Sequence, residues 1–168
     1  PMVQSRLDIP VPLPEDLKEY EHPDLPLIPE GVPFAFDTET TGLSPHDDDR
    51  IVGYSVSIDG GSSFYVAFRH DGDSSNMDEQ VALDYLKYIM ELPNLKVMAN
   101  ANFDLRFVMA EGITPQPPFF DVLLAERLVN EYRRSYSLDA LGELYTGEGK
   151  EEDLLYEWCH QTFGGRKG

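Results

Sequence analysis

Two acidic residues follow an apolar segment in the first third of the sequence. Asp37 and Glu39 come directly after Phe34–Phe36 and are separated by one threonine. Successive side chains of a strand alternate between its faces, so both carboxylates would lie on one face and repel each other. A divalent cation would remove that repulsion, and carboxylate oxygens suit Mg²⁺ or Mn²⁺. The alternative is that the pair caps a turn, which is the commoner role of isolated acidic residues.

A second polar group lies where a short strand is predicted to lead into a helix. Asn100 and Asp104 are four residues apart and follow the apolar segment Val97–Ala99. At such a junction they can converge on one cleft, where Asn offers a donor and an acceptor and Asp104 offers a third carboxylate. Alternatively, Asn100 or Asn102 caps the helix and Asp104 interacts favourably with its positive N-terminus.

The elements that must position these residues follow from the alternation and periodicity of apolar side chains. Three strands, a helix, a fourth strand and several further helices predict an α/β fold that begins with an antiparallel three-strand meander. The predicted strands are Pro33–Glu39, Ile51–Ile58, Ser63–Phe68 and Leu95–Ala99. The predicted helices run from a cap at Asp78 to Met90, from Asn102 to Glu111, from a cap at Asp121, from a cap at Ser137 or Asp139 to Gly147, and from Glu151 to Thr162.

Composition limits the possible functions and compartments. The 168 residues fit one domain, which we place at 31–168 after a Pro-rich arm or linker at 1–30. No apolar run approaches the roughly 20 residues that span a bilayer. The single cysteine, Cys159, favours a reducing, cytoplasmic compartment. A net charge of −18 argues against a broad basic surface for nucleic acid, so metal ions and a few contacts would have to hold such a partner.

Two motifs resemble those of the DEDD 3′→5′ exonucleases. Residues Phe36–Leu43 are similar to the first motif of that family, and Asn100–Asp104 are similar to its second. The segments Phe120–Leu128 and Tyr136–Leu141 resemble the helices that follow in the proofreading domain of family A, Pol I-like DNA polymerases. The resemblance covers residues 33–144. It implies an RNase H-like fold with a mixed central sheet and flanking helices, in a phage or bacterial replication protein.

The resemblance implies catalytic roles for three carboxylates. The reaction would be the hydrolysis of DNA 3′-terminal phosphodiesters with two Mg²⁺ or Mn²⁺ ions. Asp37 would bridge both ions, Glu39 would help to hold the ion that carries the attacking water, and Asp104 would act on the other ion.

The resemblance also implies contacts to a single-stranded DNA 3′ end. Asn100 would touch the terminal nucleotide, Leu43 would lie between the last two bases, and Phe103 would pack nearby. Thr38, inside the first motif, is included among the substrate-binding residues. An ordinary core position is the alternative for Leu43. The polymerase domain of a parent chain is the expected protein partner.

The family also needs a fourth carboxylate, in the pattern Tyr-x-x-x-Asp or His-x-x-x-x-Asp, and neither pattern follows the second motif. Only Tyr20 and Asp24 have such a spacing, and they precede the first motif with Pro23 between them. We therefore expect a chain that is incomplete at its C-terminus and weak or inactive as a nuclease. The alternatives are a non-catalytic DNA- or protein-binding module of the same fold and an RNA-trimming enzyme resembling RNase D.

Overall fold

The computed structural model describes residues 25–70 and 76–147. The chain divides after Val122 into two compact units. The predicted helix Glu151–Thr162 and most of the predicted arm lie outside the described residues. Within the predicted arm, Leu25 and Ile28 are buried in the hydrophobic core. The hydrophobic core therefore includes side chains that precede residue 31. The domain boundary that we assigned at residue 31 stays a prediction.

The first unit is built on a mixed sheet. Its five strands have the order β3-β2-β1-β4-β5. They are β1 (Phe34–Thr40), β2 (Ile51–Ile58), β3 (Ser63–Ala67), β4 (Lys96–Met98) and β5 (Phe119–Asp121). Strands β1, β2 and β3 form antiparallel pairs, whereas β4 is parallel to both β1 and β5. The predicted mixed sheet with its antiparallel meander is thus confirmed.

The helices follow the predicted order with small changes at their ends. They are α1 (Glu79–Glu91), α2 (Ala101–Ala110), α3 (Val122–Val129) and α4 (Leu138–Thr146), and a short 3₁₀ helix spans Pro45–Asp47. The Asp78 side chain caps α1 by accepting from the amides of Gln80 and Val81, as predicted. None of the helices in the described ranges is long and apolar enough to cross a membrane.

The core of the first unit lies on one face of β1 and its neighbours. Phe34 and Phe36 of β1 are buried and join a hydrophobic cluster that includes side chains of α1 and α2. The alternate residues of the strand, beginning with Ala35, are exposed. Thus β1 is an amphipathic strand, and its polar face is the one that carries the two candidate carboxylates.

The second unit contains α4 and most of α3. The Ser137 side chain caps α4 by accepting from the Ala140 amide, and Gly147 ends the helix in the left-handed region with φ of 75°. Glu126 of α3 is buried and accepts a hydrogen bond from the Tyr145 hydroxyl of α4 at 2.8 Å. That bond joins the two helices of this unit.

Lys96 is a fully buried cation in the middle of the first unit. Its ammonium group donates to the carbonyl oxygens of Leu92, Asn94 and Gln116 at 2.6, 3.1 and 2.9 Å. Burial lowers the pKa of Lys96 from its ordinary value of 10.5 to about 8, so the side chain is still charged at neutral pH. The ammonium group therefore joins the start of β4 to the segments on both sides of it in the chain.

Replacing Lys96 by Met should lower the free energy of unfolding by about 2–4 kcal/mol, because three buried carbonyl oxygens would lose their donor. Chemical denaturation followed by circular dichroism measures the change. Lys87→Met is the matched control, since Lys87 lies on the exposed side of α1 and should change stability by less than about 0.5 kcal/mol. Equal stability of the Lys96→Met chain and the wild type would contradict this role.

The same residue predicts a pH dependence of stability. The pKa of Lys96 is lower in the folded chain, so unfolding takes up a proton between pH 8 and 10.5, and the folded state gains stability as pH rises through that window. From pH 7.5 to 9.5 the wild type should gain about 1–2 kcal/mol relative to Lys96→Met. Paired denaturation curves at the two pH values test this. A constant difference between the two proteins would contradict it.

Candidate functional site

The two carboxylates of the first motif lie on the exposed face of β1, as the alternation predicts. Asp37 and Glu39 are both exposed, and Thr38 between them is buried on the opposite face. In the register with β2, Asp37 is opposite Ser55 and Glu39 is opposite Gly53. Two acidic side chains therefore project from adjacent positions of one strand face.

Asp104 reaches the same strand from the first turn of α2. It is 1% exposed, and its Oδ1 accepts hydrogen bonds from the Thr38 amide at 2.9 Å and the Thr38 hydroxyl at 2.7 Å. Strand β4 pairs with β1 only at Phe34 and Ala35. Thr38 lies beyond that pairing, and the Asp104 carboxylate supplies the acceptor for its amide.

The charge balance at Asp104 is unfavourable in the absence of a cation. The pKa of Asp104 is raised from 3.8 to about 6, chiefly by burial and to a smaller extent by the negative charge of Asp37. The two hydrogen bonds from Thr38 act in the opposite direction but do not restore the ordinary pKa. The hydrogen bonds between Thr38 and Asp104 show that the first and second motifs are in contact in the fold.

Asn100 begins α2 in a left-handed conformation, with φ of 63° and ψ of 52°. Its side chain is exposed and forms no capping hydrogen bond, so the interpretation of Asn100 as the side-chain cap is wrong. The Asp121 carboxylate instead accepts from the amides of Asn100 at 3.3 Å and Ala101 at 2.9 Å. The carboxylate at the end of β5 thus accepts from the first amides of α2, and the Asn100 side chain is not used to cap the helix.

The predicted nucleotide-contacting apolar residues have different environments. Leu43 is 81% exposed, so the alternative that it is an ordinary core residue is wrong. Phe103 is half-buried, packs on the core, and has its ring 5.0 Å from that of Phe107. Leu43 can therefore meet a ligand with almost its whole side chain, whereas Phe103 can present only part of its ring.

Tyr65 and His70 lie beside the first motif and were not predicted as site residues. The Tyr65 hydroxyl is 2.8 Å from His70 Nε2, and a Cβ added at Gly53 would lie 2.0 Å from the phenol oxygen. Burial, with a contribution from the charge of Glu39, raises the pKa of Tyr65. The sequence signal was the glycine inside a strand pattern, which often marks a close approach by another group.

The carboxylate oxygens of Asp37, Glu39 and Asp104 are the donor type that Mg²⁺ and Mn²⁺ prefer. Across residues 25–70 and 76–147, no group of three or more His, Cys, Asp or Glu side chains is arranged to hold a metal ion. The donor chemistry and the mutual repulsion of the carboxylates fit a cation. The assignment of these three residues as ligands remains a prediction.

Comparison with known proteins identifies the family of the chain. A family model described as 3′-5′ exonuclease, the exonuclease domain of family A DNA polymerases, matches residues 15–162. The chain belongs to this family. A DNA-directed DNA polymerase of Pseudomonas phage M6 is 32% identical over 148 residues, which are 79% of this chain and 22% of that protein. DNA polymerase DpoZ of Acinetobacter phage SH-Ab 15497 is 28% identical, over 77% of this chain and 20% of that protein.

The family and fold predictions are therefore confirmed, and this exonuclease domain spans about a fifth of the length of these phage polymerases. Among solved structures, Brucella melitensis NrnC bound to pGG matches with a TM-score of 0.58 and 24% identity, over 77% of this chain and 59% of that one. NrnC has also been solved with bound Mg²⁺, and that structure matches with a TM-score of 0.56 and 23% identity, over 79% of this chain and 61% of that one. At these identities the likeness establishes the RNase H-like exonuclease fold.

Replacing Thr38 by Val should lower the free energy of unfolding by about 1.5–3 kcal/mol at neutral pH, because the buried Asp104 carboxylate would lose its hydroxyl donor. Val is a good strand residue of similar shape, so the loss reports on the hydrogen bond. Thr38→Ser keeps the hydroxyl and is the matched control. Urea denaturation of both variants measures the effect. A Thr38→Val chain at least as stable as Thr38→Ser would show that the hydroxyl does not stabilise Asp104.

Proposed function

We propose that this chain removes nucleotides from single-stranded DNA 3′ ends as the proofreading part of a DNA polymerase. The observation that carries the proposal concerns three carboxylates: Asp104 is hydrogen-bonded to Thr38, the residue between Asp37 and Glu39 on β1. Two of them project from the exposed strand face, and Asp104 approaches from α2 with a pKa raised in part by the charge of Asp37. Such an excess of negative charge is unfavourable unless a cation neutralises it.

Asp37, Glu39 and Asp104 would hold Mg²⁺ or Mn²⁺. When bound, such ions supply an activated water and neutralise the charge that develops on the leaving 3′-oxygen. The protein supplies the geometry. Thr38 is buried and donates twice to Asp104, so we propose that it assists binding by fixing that carboxylate. Asp37 and Glu39 keep a common orientation because they are alternate residues of a paired strand.

The terminal nucleotides would be bound by side chains around these carboxylates. Leu43 is exposed and can insert between the last two bases, where it would bury apolar surface on binding. Asn100 is exposed at the start of α2 and can both donate to and accept from a terminal nucleotide. Phe103 packs on the core and would support the bases from beside Asn100. These are contacts to a strand end, which suit a protein of net charge −18.

The remaining partners follow from the relatives. Both phage relatives are DNA polymerases, which supports a polymerase domain as the working partner of this exonuclease domain. The compartment would then be the cytoplasm of a bacterium or of a phage-infected cell. Because no Tyr-x-x-x-Asp or His-x-x-x-x-Asp follows Asp104 in the sequence, we expect the 168-residue chain to cleave slowly.

Asp37→Ala should abolish Mg²⁺-dependent shortening of a 5′-labelled single-stranded DNA by the 168-residue chain, because a metal ligand would be lost. A denaturing gel at high enzyme concentration resolves even slow removal of 3′ nucleotides. The matched control is Asp59→Ala, an exposed acidic residue at the turn after β2, which should retain the wild-type rate. Cleavage that survives in Asp37→Ala would contradict the catalytic assignment.

An RNA strand of the same sequence provides the second arm of this experiment. Faster shortening of DNA supports the proofreading function, and faster shortening of RNA would favour an RNA-trimming enzyme. Binding of either strand without metal-dependent cleavage, in this chain and in a polymerase that contains it, would instead indicate a non-catalytic binding module.

A further inference from the structure

The turn that presents Leu43 is held by Asp49, the last of three consecutive aspartates at positions 47–49, which we call the acidic run. Asp49 Oδ2 accepts from the Ser44 amide at 3.0 Å, and Asp49 Oδ1 accepts from the Thr41 hydroxyl at 3.3 Å. These contacts fall on the residues two before and one after Leu43. Asp49 is half-buried, whereas its neighbours Asp47 and Asp48 are exposed. One residue of the acidic run therefore turns inward and binds both sides of the Leu43 position.

Gly42 allows this carboxylate to come so close. A Cβ added at Gly42 would lie 2.4 Å from both Asp49 carboxylate oxygens, well inside van der Waals contact. The φ of Gly42 lies outside the left-handed region, so the backbone conformation does not require a glycine there. The close Asp49 carboxylate does. A larger residue at this position would displace the carboxylate or the turn.

Further hydrogen bonds tie the same turn to the end of β1 and the start of β2. The Thr41 hydroxyl accepts from the Arg50 amide at 3.0 Å, and the Thr41 amide donates to the Arg50 carbonyl at 3.0 Å. The Thr40 hydroxyl donates to the Gly42 carbonyl at 2.6 Å. The backbone on both sides of Leu43 is therefore fixed, although the Leu43 side chain is 81% exposed.

The turn therefore presents an exposed apolar side chain on a backbone that is already ordered before any ligand binds. Ordering that backbone before binding removes an entropy loss that binding would otherwise incur. We propose that Asp49 is a positioning residue that holds the Leu43 turn in the conformation that engages the 3′-terminal bases. The proposal rests on the proposed function, in which Leu43 contacts those bases.

The test measures binding of the 168-residue chain to a single-stranded DNA whose 3′-terminal base is 2-aminopurine and whose last linkage is a phosphorothioate. Unstacking of the terminal base raises 2-aminopurine fluorescence, and anisotropy gives the affinity. Asp49→Ala should weaken end binding about fivefold, the effect expected when one more side chain must be ordered on binding. It should also reduce the fluorescence rise, while affinity for a circular DNA without ends stays unchanged.

Three further single variants and one double variant separate positioning from charge and from folding. Asp47→Ala removes an equal charge from the same loop and should bind like the wild type. Asp49→Asn keeps an acceptor for the Ser44 amide and should stay within about twofold of the wild type. Gly42→Ala should reproduce the loss of Asp49→Ala, and the double variant should be no weaker than either single one, because both changes disrupt the same contact. Thermal melting confirms that each variant is folded.

Leu43→Ala and Asp37→Ala distinguish failure of this proposal from failure of the proposed function. Equal losses in Leu43→Ala, Asp49→Ala and their double variant support the positioning role. Loss in Leu43→Ala with wild-type binding in Asp49→Ala and Gly42→Ala overturns it and leaves the proposed function intact. Wild-type binding in Leu43→Ala also overturns the positioning role of Asp49. The cleavage assay with Asp37→Ala then tests the proposed function separately. Wild-type cleavage in Asp37→Ala would refute the proposed function itself.

Discussion

The contact between the Asp104 carboxylate and Thr38 is the constraint on which the rest of the site depends. Strand β4 ends early, so the C-terminal half of β1 has no β4 partner on that side, and Asp104 fills the gap as the acceptor for the Thr38 amide and hydroxyl. One side chain thereby joins α2 to the C-terminal half of β1. Thr38 and Asp104 are 66 positions apart in the sequence, and their contact brings the first and second motifs together in the fold.

The same contact carries an electrostatic penalty. The pKa of Asp104 is raised to about 6 in the folded chain, so folding is favoured by protonation of Asp104 and loses that stabilisation as pH rises through about 6. At neutral pH the folded chain retains a buried carboxylate next to Asp37. An apolar residue at this position would avoid the penalty. Groups with strongly shifted pKa values cluster at functional sites, where their charge is needed. The penalty is consistent with a site that binds a cation.

Much of this arrangement could be predicted from the sequence, and the failures have physical causes. The alternation of apolar and polar residues predicted both ends of β2 correctly. It also predicted that Asp37 and Glu39 lie on one face of β1. Strand β5 was missed because it has three residues, two of them exposed phenylalanines, and it exists through pairing with β4. The role of Asp49 could not be predicted, because the sequence of three consecutive aspartates does not show which one turns inward. Such information lies in long-range contacts that local pattern does not encode.

Carboxylates that accept from backbone amides recur around the site. Asp104 binds the Thr38 amide, Asp121 binds the amides that begin α2, and Asp49 binds the Ser44 amide. Each contact fixes a segment that carries a candidate functional residue: the end of β1, the Asn100 junction and the Leu43 turn. In a chain of net charge −18, some acidic side chains thus have a structural role beside the metal-binding role that we propose for others. Geometry and charge are therefore separable at these positions, because an amide of the same shape can accept from a backbone N–H and still remove the negative charge.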